Sequence, residues 1–274
     1  MSDDLLARFI RWAATRDDVR AAVLVGSRAR SERPADAYSD VDLVLFVHDP
    51  PALLDDSRWP GELGEVGITF VEQTPMPGVR ERRVLFADGT DVDFVIAPFD
   101  RLRELVEIGS DVLARGHRIL VDRDGVAAFL ATVAPPTRDG SLDAELSEAI
   151  SDFWCHAVWT ARKLRRGETL MAKECLDCHM KALVIRVAGW HAGDRRALHD
   201  ARFIEEWADP RVLEALPSAY AGYDAADVKR ALDATMDLFS WLAREMASRV
   251  GVTYADDEEE LARRLAGRVL ADGE

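Results

Sequence analysis

Two short stretches decide how this chain reads: residues 23–30, VLVGSRAR, and residues 39–47, SDVDLVLFV. In the first, an apolar run that starts at Ala21 ends in Gly26, and Gly26, Ser27 and Arg28 close it with a turn. In the second, residues 40–47 read as a strand, and side chains two apart on a strand share a face, so Asp40 and Asp42 project the same way. Their positions are about 7 Å apart along the chain. Like charges held this close are costly unless something cationic lies between them. A divalent metal meets that need, because Mg²⁺ takes oxygen ligands from one or two carboxylates together with substrate phosphates.

The flanking segments supply the rest of the domain. Leu5, Leu6, Phe9, Ile10 and Ala13 have helical spacing, and residues 67–72 form a third strand candidate. Residues 83–86 and 91–96 flank Asp88-Gly89, a hairpin signal with glycine available for positive φ. The first 100 residues therefore hold about five strands and one or two helices. The hairpin's second strand offers Asp93, with Asp91 on the same face, as a third carboxylate. Three carboxylates on adjacent strands suit two-metal phosphoryl transfer, in which metals clamp the attacking and leaving oxygens. The turn fits this chemistry: Gly26 lets the backbone approach a phosphate, Ser27 offers its N–H and hydroxyl, and Arg28 or Arg30 neutralises charge.

Beyond a helical stretch over 100–107 and a short apolar run over 118–122, Pro135, Pro136 and Gly140 mark a linker. After it the apolar period changes from that of strands to that of helices. Leu146, Ile150, Phe153, Ala157 and Leu164 share one helical face; Leu176, Met180, Leu183, Val187 and Trp190 share a second; Val228, Leu232, Thr235, Phe239, Leu242 and Met246 share a third. The second half reads as a helical bundle, and the acidic run 256–260 (DDEEE) as the solvated start of a last helix.

Composition narrows the function. The 274 residues are 48% hydrophobic and 31% charged, which suits a soluble chain of two domains and excludes disorder. A net charge of −15 repels phosphate backbones, so a nucleic-acid partner is not expected and a cationic small molecule is favoured. Neither a signal sequence nor a run of membrane-spanning length is present, and three cysteines cannot build a disulfide framework; a cytoplasmic location follows as the expectation.

Taken together, Gly26-Ser27-Arg28, Ser39-Asp40-Val41-Asp42 and the later Asp93 resemble the signature of polymerase-beta-type nucleotidyltransferases. The chain is most similar to the aminoglycoside 6-adenylyltransferase (streptomycin adenylyltransferase) family. The similarity lies in VLVGSRAR, in SDVDLVLFV, in the Asp88-Gly89 turn leading to DVDFVIAP, in Asp152-Phe153-Trp154, in the stretch from Ala172 through Leu176 and Asp177 to Trp190, and in Arg202-Phe203-Ile204. It thus covers most of the chain.

The resemblance implies an α/β nucleotidyltransferase domain with a mixed sheet over 1–135 and an all-α domain over 140–274, with MgATP between them. It implies transfer of AMP from ATP to a hydroxyl of an aminoglycoside such as streptomycin, release of pyrophosphate, and antibiotic resistance. Asp40, Asp42 and Asp93 would hold Mg²⁺, two ions being expected, and Gly26, Ser27 and Arg28 would meet the triphosphate. In-line attack also needs a base near the acceptor hydroxyl. Asp152, before Phe153-Trp154, is preferred for that role over Asp177, one helix later, and both are expected acceptor contacts. Lys173, four residues before Asp177, reaches a phosphate or pairs with that acid, and Arg202 is a further phosphate contact. Between Cys175 and His179 the sequence departs from the family pattern, which has a more polar Asn-Glu-like pair there. A monomer or weak homo-oligomer is expected.

Cys175-Leu176-Asp177-Cys178-His179 matches the haem-attachment pattern but lies in a helical stretch, and zinc lacks a fourth ligand unless His156 or His199 is recruited. Most of the seven tryptophans have helical spacing and read as core. Two other functions compete: nucleotidyl transfer onto tRNA or protein, as in toxin-type enzymes, and a non-catalytic nucleotide-binding module. The charge argues against tRNA, and the carboxylate triad against the module.

Overall fold

A computed structural model describes residues 2–30, 34–132, 142–193 and 201–271. The chain divides into two compact units, Met1–Thr137 and Arg138–Glu274. The Pro135, Pro136 and Gly140 linker and His199 lie outside the described residues.

The first unit runs α1 (Ser2–Ala14), β1 (Val19–Val25), β2 (Val41–Val47), α2 (Pro50–Asp55), β3 (Val66–Gln73), β4 (Arg80–Phe86), β5 (Asp91–Pro98), α3 (Leu102–Ile108), α4 (Ser110–Ala114), β6 (Arg118–Asp122) and α5 (Val126–Leu130). Among the described residues the strands form one mixed sheet in the order β3-β4-β5-β2-β1-β6. β2 and β5 are parallel, and the other neighbours are antiparallel. The sixth strand is the apolar run over 118–122, which pairs with β1.

Alternation along the strands builds a core on each face of the sheet. On one face Leu43, Leu45, Phe94 and Ile96 pack with Leu5, Phe9 and Trp12 of α1, and Trp12 stacks on Trp59 with ring centroids 4.7 Å apart. Arg82 is buried on that side because its guanidinium donates to the Leu53 and Leu54 carbonyls at the end of α2 and to Thr69. On the other face Val23, Val25, Phe46 and Ala97 pack with Leu105, Val106, Val126 and Leu130. The Asp88-Gly89 hairpin forms as the sequence predicts, with Gly89 at φ 84° and the Phe86 N–H donating to the Thr90 carbonyl.

The second unit is all helical among the described residues: α6 (Leu142–Arg165), α7 (Thr169–Glu174), a π-helical turn (Cys175–Met180), α8 (Lys181–Ala192), α9 (Ile204–Trp207), α10 (Pro210–Ala219), α11 (Ala225–Val250) and α12 (Asp256–Ala271). Most of the three apolar faces are buried, and Phe153 of α6 stacks flat on Phe239 of α11 at 3.7 Å. The acidic run 256–260 corrects its reading as a solvated end. Glu259 is buried and accepts hydrogen bonds from Tyr254, Ser240, Arg244 and Arg263, while Tyr254 accepts from Trp154. A buried carboxylate is tolerated only with such partners, so one acid of the run locks α12 into the bundle.

Candidate active site

The register of the sheet assembles the carboxylates. Asp42 pairs with Val25 of β1 on one side and with Asp93 of β5 on the other, in the parallel β2–β5 ladder. Asp40 lies two residues before Asp42, just ahead of β2, and keeps the same side. One carboxylate oxygen from each of Asp40, Asp42 and Asp93 falls within 4.8 Å of the others. Side chains on this face continue along the strands as Phe46 and Ala97, so the acids stand at one end of an apolar surface.

Gly26 follows β1 at φ 69°, a left-handed conformation that glycine adopts without strain. Its second role is room: a Cβ built there would lie 1.9 Å from Asp42 Oδ2. The Asp42 carboxylate is therefore cradled against the bare turn. Ser27 sits beside it in a short 3₁₀ turn, Gly26–Arg28, and its buried hydroxyl makes no hydrogen bond among the described residues. Arg28 donates from Nε to the Asp40 carbonyl at 2.8 Å and from a terminal nitrogen to the Ser39 carbonyl at 2.6 Å. Its guanidinium thus fastens the approach to β2 and sets where Asp40 projects.

Asp93 is 9% exposed, and burial pushes its carboxyl up to about 6; the Arg83 guanidinium opposes the shift, and Asp91 and Asp40 add to it. Arg83 Nε lies 2.8 Å from Asp93 Oδ1, but outside hydrogen-bonding geometry, so that buried oxygen has charge attraction without a donor. Arg83 also pairs with Glu72 at 3.3 Å and Asp91 at 3.8 Å. Glu81, two residues before it, is pushed up to about 7, first by burial and then by the charges of Asp93 and Glu72. Arg83, Glu72 and Glu81 are functional neighbours that the sequence reading missed. The alternation of β4 shows that Glu81 and Arg83 share a face, but only the cross-strand pairing of Arg83 with Asp93 and of Glu81 with Glu72 brings them to the site.

An all-oxygen set with one buried oxygen lacking a donor suits a hard divalent ion such as Mg²⁺. Asp40 and Asp42 at β2 face Asp93, at about 6, on the neighbouring β5, and acids gathered this closely repel one another until a cation joins them.

The remaining predicted residues lie in the helical unit. Two imidazoles lie against one oxygen of Asp152 on α6: His179 Nε2 is hydrogen-bonded to Oδ1 at 3.0 Å, and His156 Nδ1 lies 2.6 Å from Oδ1 while its hydrogen bond runs to the Asp152 backbone carbonyl at 3.0 Å. Lys173 pairs with Asp177 and donates to the Ala221 carbonyl. The other Asp177 oxygen is buried 4.0 Å from the ammonium of Lys181, which burial pushes down to about 8. Asp177 therefore stands between two lysines, and the pairing of Lys173 with it is the contact observed. Arg202 is exposed, and its carbonyl accepts from Trp207 Nε1. As a neighbour of Asp152, His156 is legible in the sequence at i+4, whereas His179 reaches it only from the π turn.

Comparison with known proteins follows the same lines. The family model of streptomycin adenylyltransferase matches residues 1–267. An aminoglycoside 6-adenylyltransferase of Bacillus subtilis (strain 168) is 21% identical over 285 aligned positions, covering 96% of each chain. One of Campylobacter jejuni is 21% identical over 274, covering 92% of this chain and 90% of its own. Among solved structures, an aminoglycoside 6-adenyltransferase from Bacillus subtilis has a TM-score of 0.44 at 16% identity, covering 98% of this chain and 97% of that one. A match over residues 1–267, which runs through both units, decides the matter: the chain is a nucleotidyltransferase and belongs to the streptomycin adenylyltransferase family.

Proposed function

We propose that the protein transfers AMP from MgATP to a hydroxyl of a streptomycin-like aminoglycoside and releases pyrophosphate, thereby inactivating the drug in the cytoplasm. The observation that carries this reading is the convergence of Asp40, Asp42 and Asp93 beside the bare Gly26-Ser27 turn. In the proposal residues 1–135 form the nucleotide and metal domain, and residues 140–274 supply acceptor contacts.

Asp40, Asp42 and Asp93 would hold Mg²⁺, two ions being the expectation; when bound, such ions neutralise phosphate charge and orient the oxygens of an in-line displacement. The chain's own groups do the rest. Gly26, whose missing Cβ gives the Asp42 carboxylate its room, lets the turn's backbone meet a triphosphate, and the unpartnered Ser27 hydroxyl supplies a donor beside it. Arg28 adds positive charge while holding Asp40 in place. Asp152 accepts the proton of the acceptor hydroxyl, with Asp177 as a further contact for an acceptor ammonium, and Lys173 and Arg202 complete the phosphate contacts. The net charge of −15 favours approach of a polycation.

The test is direct. Purified protein is incubated with each nucleoside triphosphate, Mg²⁺ and a panel of aminoglycosides, and the products are read by mass spectrometry and pyrophosphate release. The expected product is streptomycin plus one adenosine monophosphate. Pyrophosphate release with no modified aminoglycoside, or label appearing on RNA or protein, overturns the acceptor assignment.

A further inference from the structure

The helical unit carries a second cluster whose chemistry differs from the carboxylate site. Asp152 and His156 stand four residues apart on α6 and so share a face, and His179 meets them from the π turn. One ligand atom from each of the three lies within 4.8 Å of the others. The imidazole centroids are 4.1 Å apart with the rings at 46°, so the rings converge on the carboxylate from two directions.

We propose that Asp152, His156 and His179 form a binding site for one transition-metal ion of the zinc class, with an open coordination position. Zn²⁺ bonds of roughly 2.0–2.2 Å to nitrogen and oxygen place tetrahedral ligand atoms about 3.3 Å apart. The two approaches to Asp152 Oδ1, 2.6 and 3.0 Å, reach that spacing through small side-chain rotations, which also free His156 Nδ1 from the Asp152 backbone carbonyl. Two imidazoles and a carboxylate are the donor set of open, three-ligand zinc sites, whereas closed structural sites use four protein ligands. All three side chains are between 33% and 44% exposed, which leaves the remaining position to water or to a hydroxyl or amine of a small molecule. Imidazole nitrogen selects Zn²⁺, Co²⁺, Ni²⁺ or Cu²⁺ over Mg²⁺, so the two clusters take different ions.

The scaffold under the cluster is rigid. Phe153, Trp154 and Ala157, on the same turns of α6 as the two ligands, are buried, as are Leu176 and Met180 around His179. Thr160, one turn beyond His156, donates to the Met180 sulfur at 3.6 Å and ties α6 to the π turn. π-helical turns recur at functional sites because the widened turn re-aims side chains that a regular helix would place elsewhere. Here that turn carries His179.

Asp152 is also the base in the proposed reaction, so zinc ligation and proton acceptance at this carboxylate exclude each other. The binding experiment is independent of that reading. The full chain, stripped of metal, is titrated with Co²⁺ and Zn²⁺ in excess Mg²⁺, with visible absorption and calorimetry as readouts and circular dichroism confirming that each variant is folded. One equivalent is expected to bind, with the intense visible bands of a low-coordinate nitrogen-ligated cobalt. His156→Ala and His179→Ala should each weaken Zn²⁺ at least about 100-fold, and Asp42→Asn should leave it unchanged. In wild-type protein, ¹⁵N shifts of the histidine rings should show ligation through Nδ1 of His156 and Nε2 of His179, which needs no variant. Absence of binding at tens of micromolar Zn²⁺, undiminished binding in the double histidine variant, or loss of the ion in Asp42→Asn alone overturns the site. Loss of aminoglycoside modification with zinc binding intact would instead strike only the proposed reaction.

Discussion

Among the described residues, ligand-type side chains gather twice, in two units and by two different means. In the sheet unit three carboxylates meet because the strands are in register: Asp42 opposite Asp93, with Asp40 two residues before Asp42. In the helical unit Asp152 meets two histidines, one by the i, i+4 geometry of α6 and one through a π turn. Oxygen ligands alone suit a hard ion and phosphates; the mixed set suits a softer one. The comparison teaches that like charges crowd the first cluster, where burial holds Asp93 at about 6, while in the second the carboxylate meets the His179 imidazole by a hydrogen bond and His156 by proximity.

The largest effect should separate the two clusters outright. Asp42→Asn keeps the shape of the side chain but removes one charge from the site, and pyrophosphate release should fall about 10³-fold, the scale seen when charge stabilisation is deleted from a transition state. The zinc affinity of the helical cluster should not move. If Asp42→Asn retains turnover within tenfold, the carboxylates are not the reacting centre and the comparison fails.

Gly26→Ala ranks next. The new methyl would lie 1.9 Å from Asp42 Oδ2 at a φ of 69°, so either the carboxylate or the turn must move. Activity should drop about 10²-fold, because displacements near 1 Å at a reacting centre cost this much. The helical unit's unfolding should be unaffected when followed by its tryptophans.

Much of this is legible in the sequence. The glycine turn, the Asp-x-Asp strand and the hairpin leading to Asp93 each rest on local rules, namely period two and positive φ at Gly26 and Gly89, and local rules survive folding. The helical faces were equally plain, since Phe153, Leu176, Leu232 and Phe239 repeat at helical spacing and are fully buried. What escaped depends on register or on irregular backbone. Arg83 meets Asp93 only because β4 and β5 pair at that offset. His179 faces Asp152 from a π turn that helical periodicity does not contain, which is why the zinc reading of that segment lacked its ligands. Glu259 looked solvated within an acidic run, and only the return of α12 onto Trp154, Tyr254 and Ser240 buries it.

A smaller effect concerns pH. Asp93 must be ionised to hold a metal, and its carboxyl sits at about 6 without one. Mn²⁺ affinity, used as a probe of the carboxylate cluster, should be flat with respect to Asp93 above pH 7 and fall by up to about tenfold per unit below pH 6. Protonation of Glu81 near 7 removes a further negative charge beside Asp93 and should broaden the transition. Calorimetric titration from pH 5 to 8 measures this, and affinity that rises toward pH 5 would contradict the burial of Asp93.

The smallest effect reads the same charge through stability. A carboxyl whose folded value is raised destabilises the native state once ionised. The cost is absent below its unfolded value of 3.8, grows as pH rises toward about 6, and is constant above that. Asp93→Asn removes it, so the metal-free variant should be more stable than the parent at pH 8 by up to about 3 kcal/mol, while the two should converge near pH 4. Arg83 keeps Glu72 and Asp91 as partners in the variant, which limits any loss on its side. Added Mg²⁺ should reverse the order, because ions bound to the folded parent stabilise it by mass action and the variant has lost a ligand. Thermal unfolding at both pH values, with and without Mg²⁺, checks all four states. A parent more stable than Asp93→Asn at pH 8 without metal would show that Arg83, rather than a bound cation, is the partner that keeps this carboxylate in the sheet.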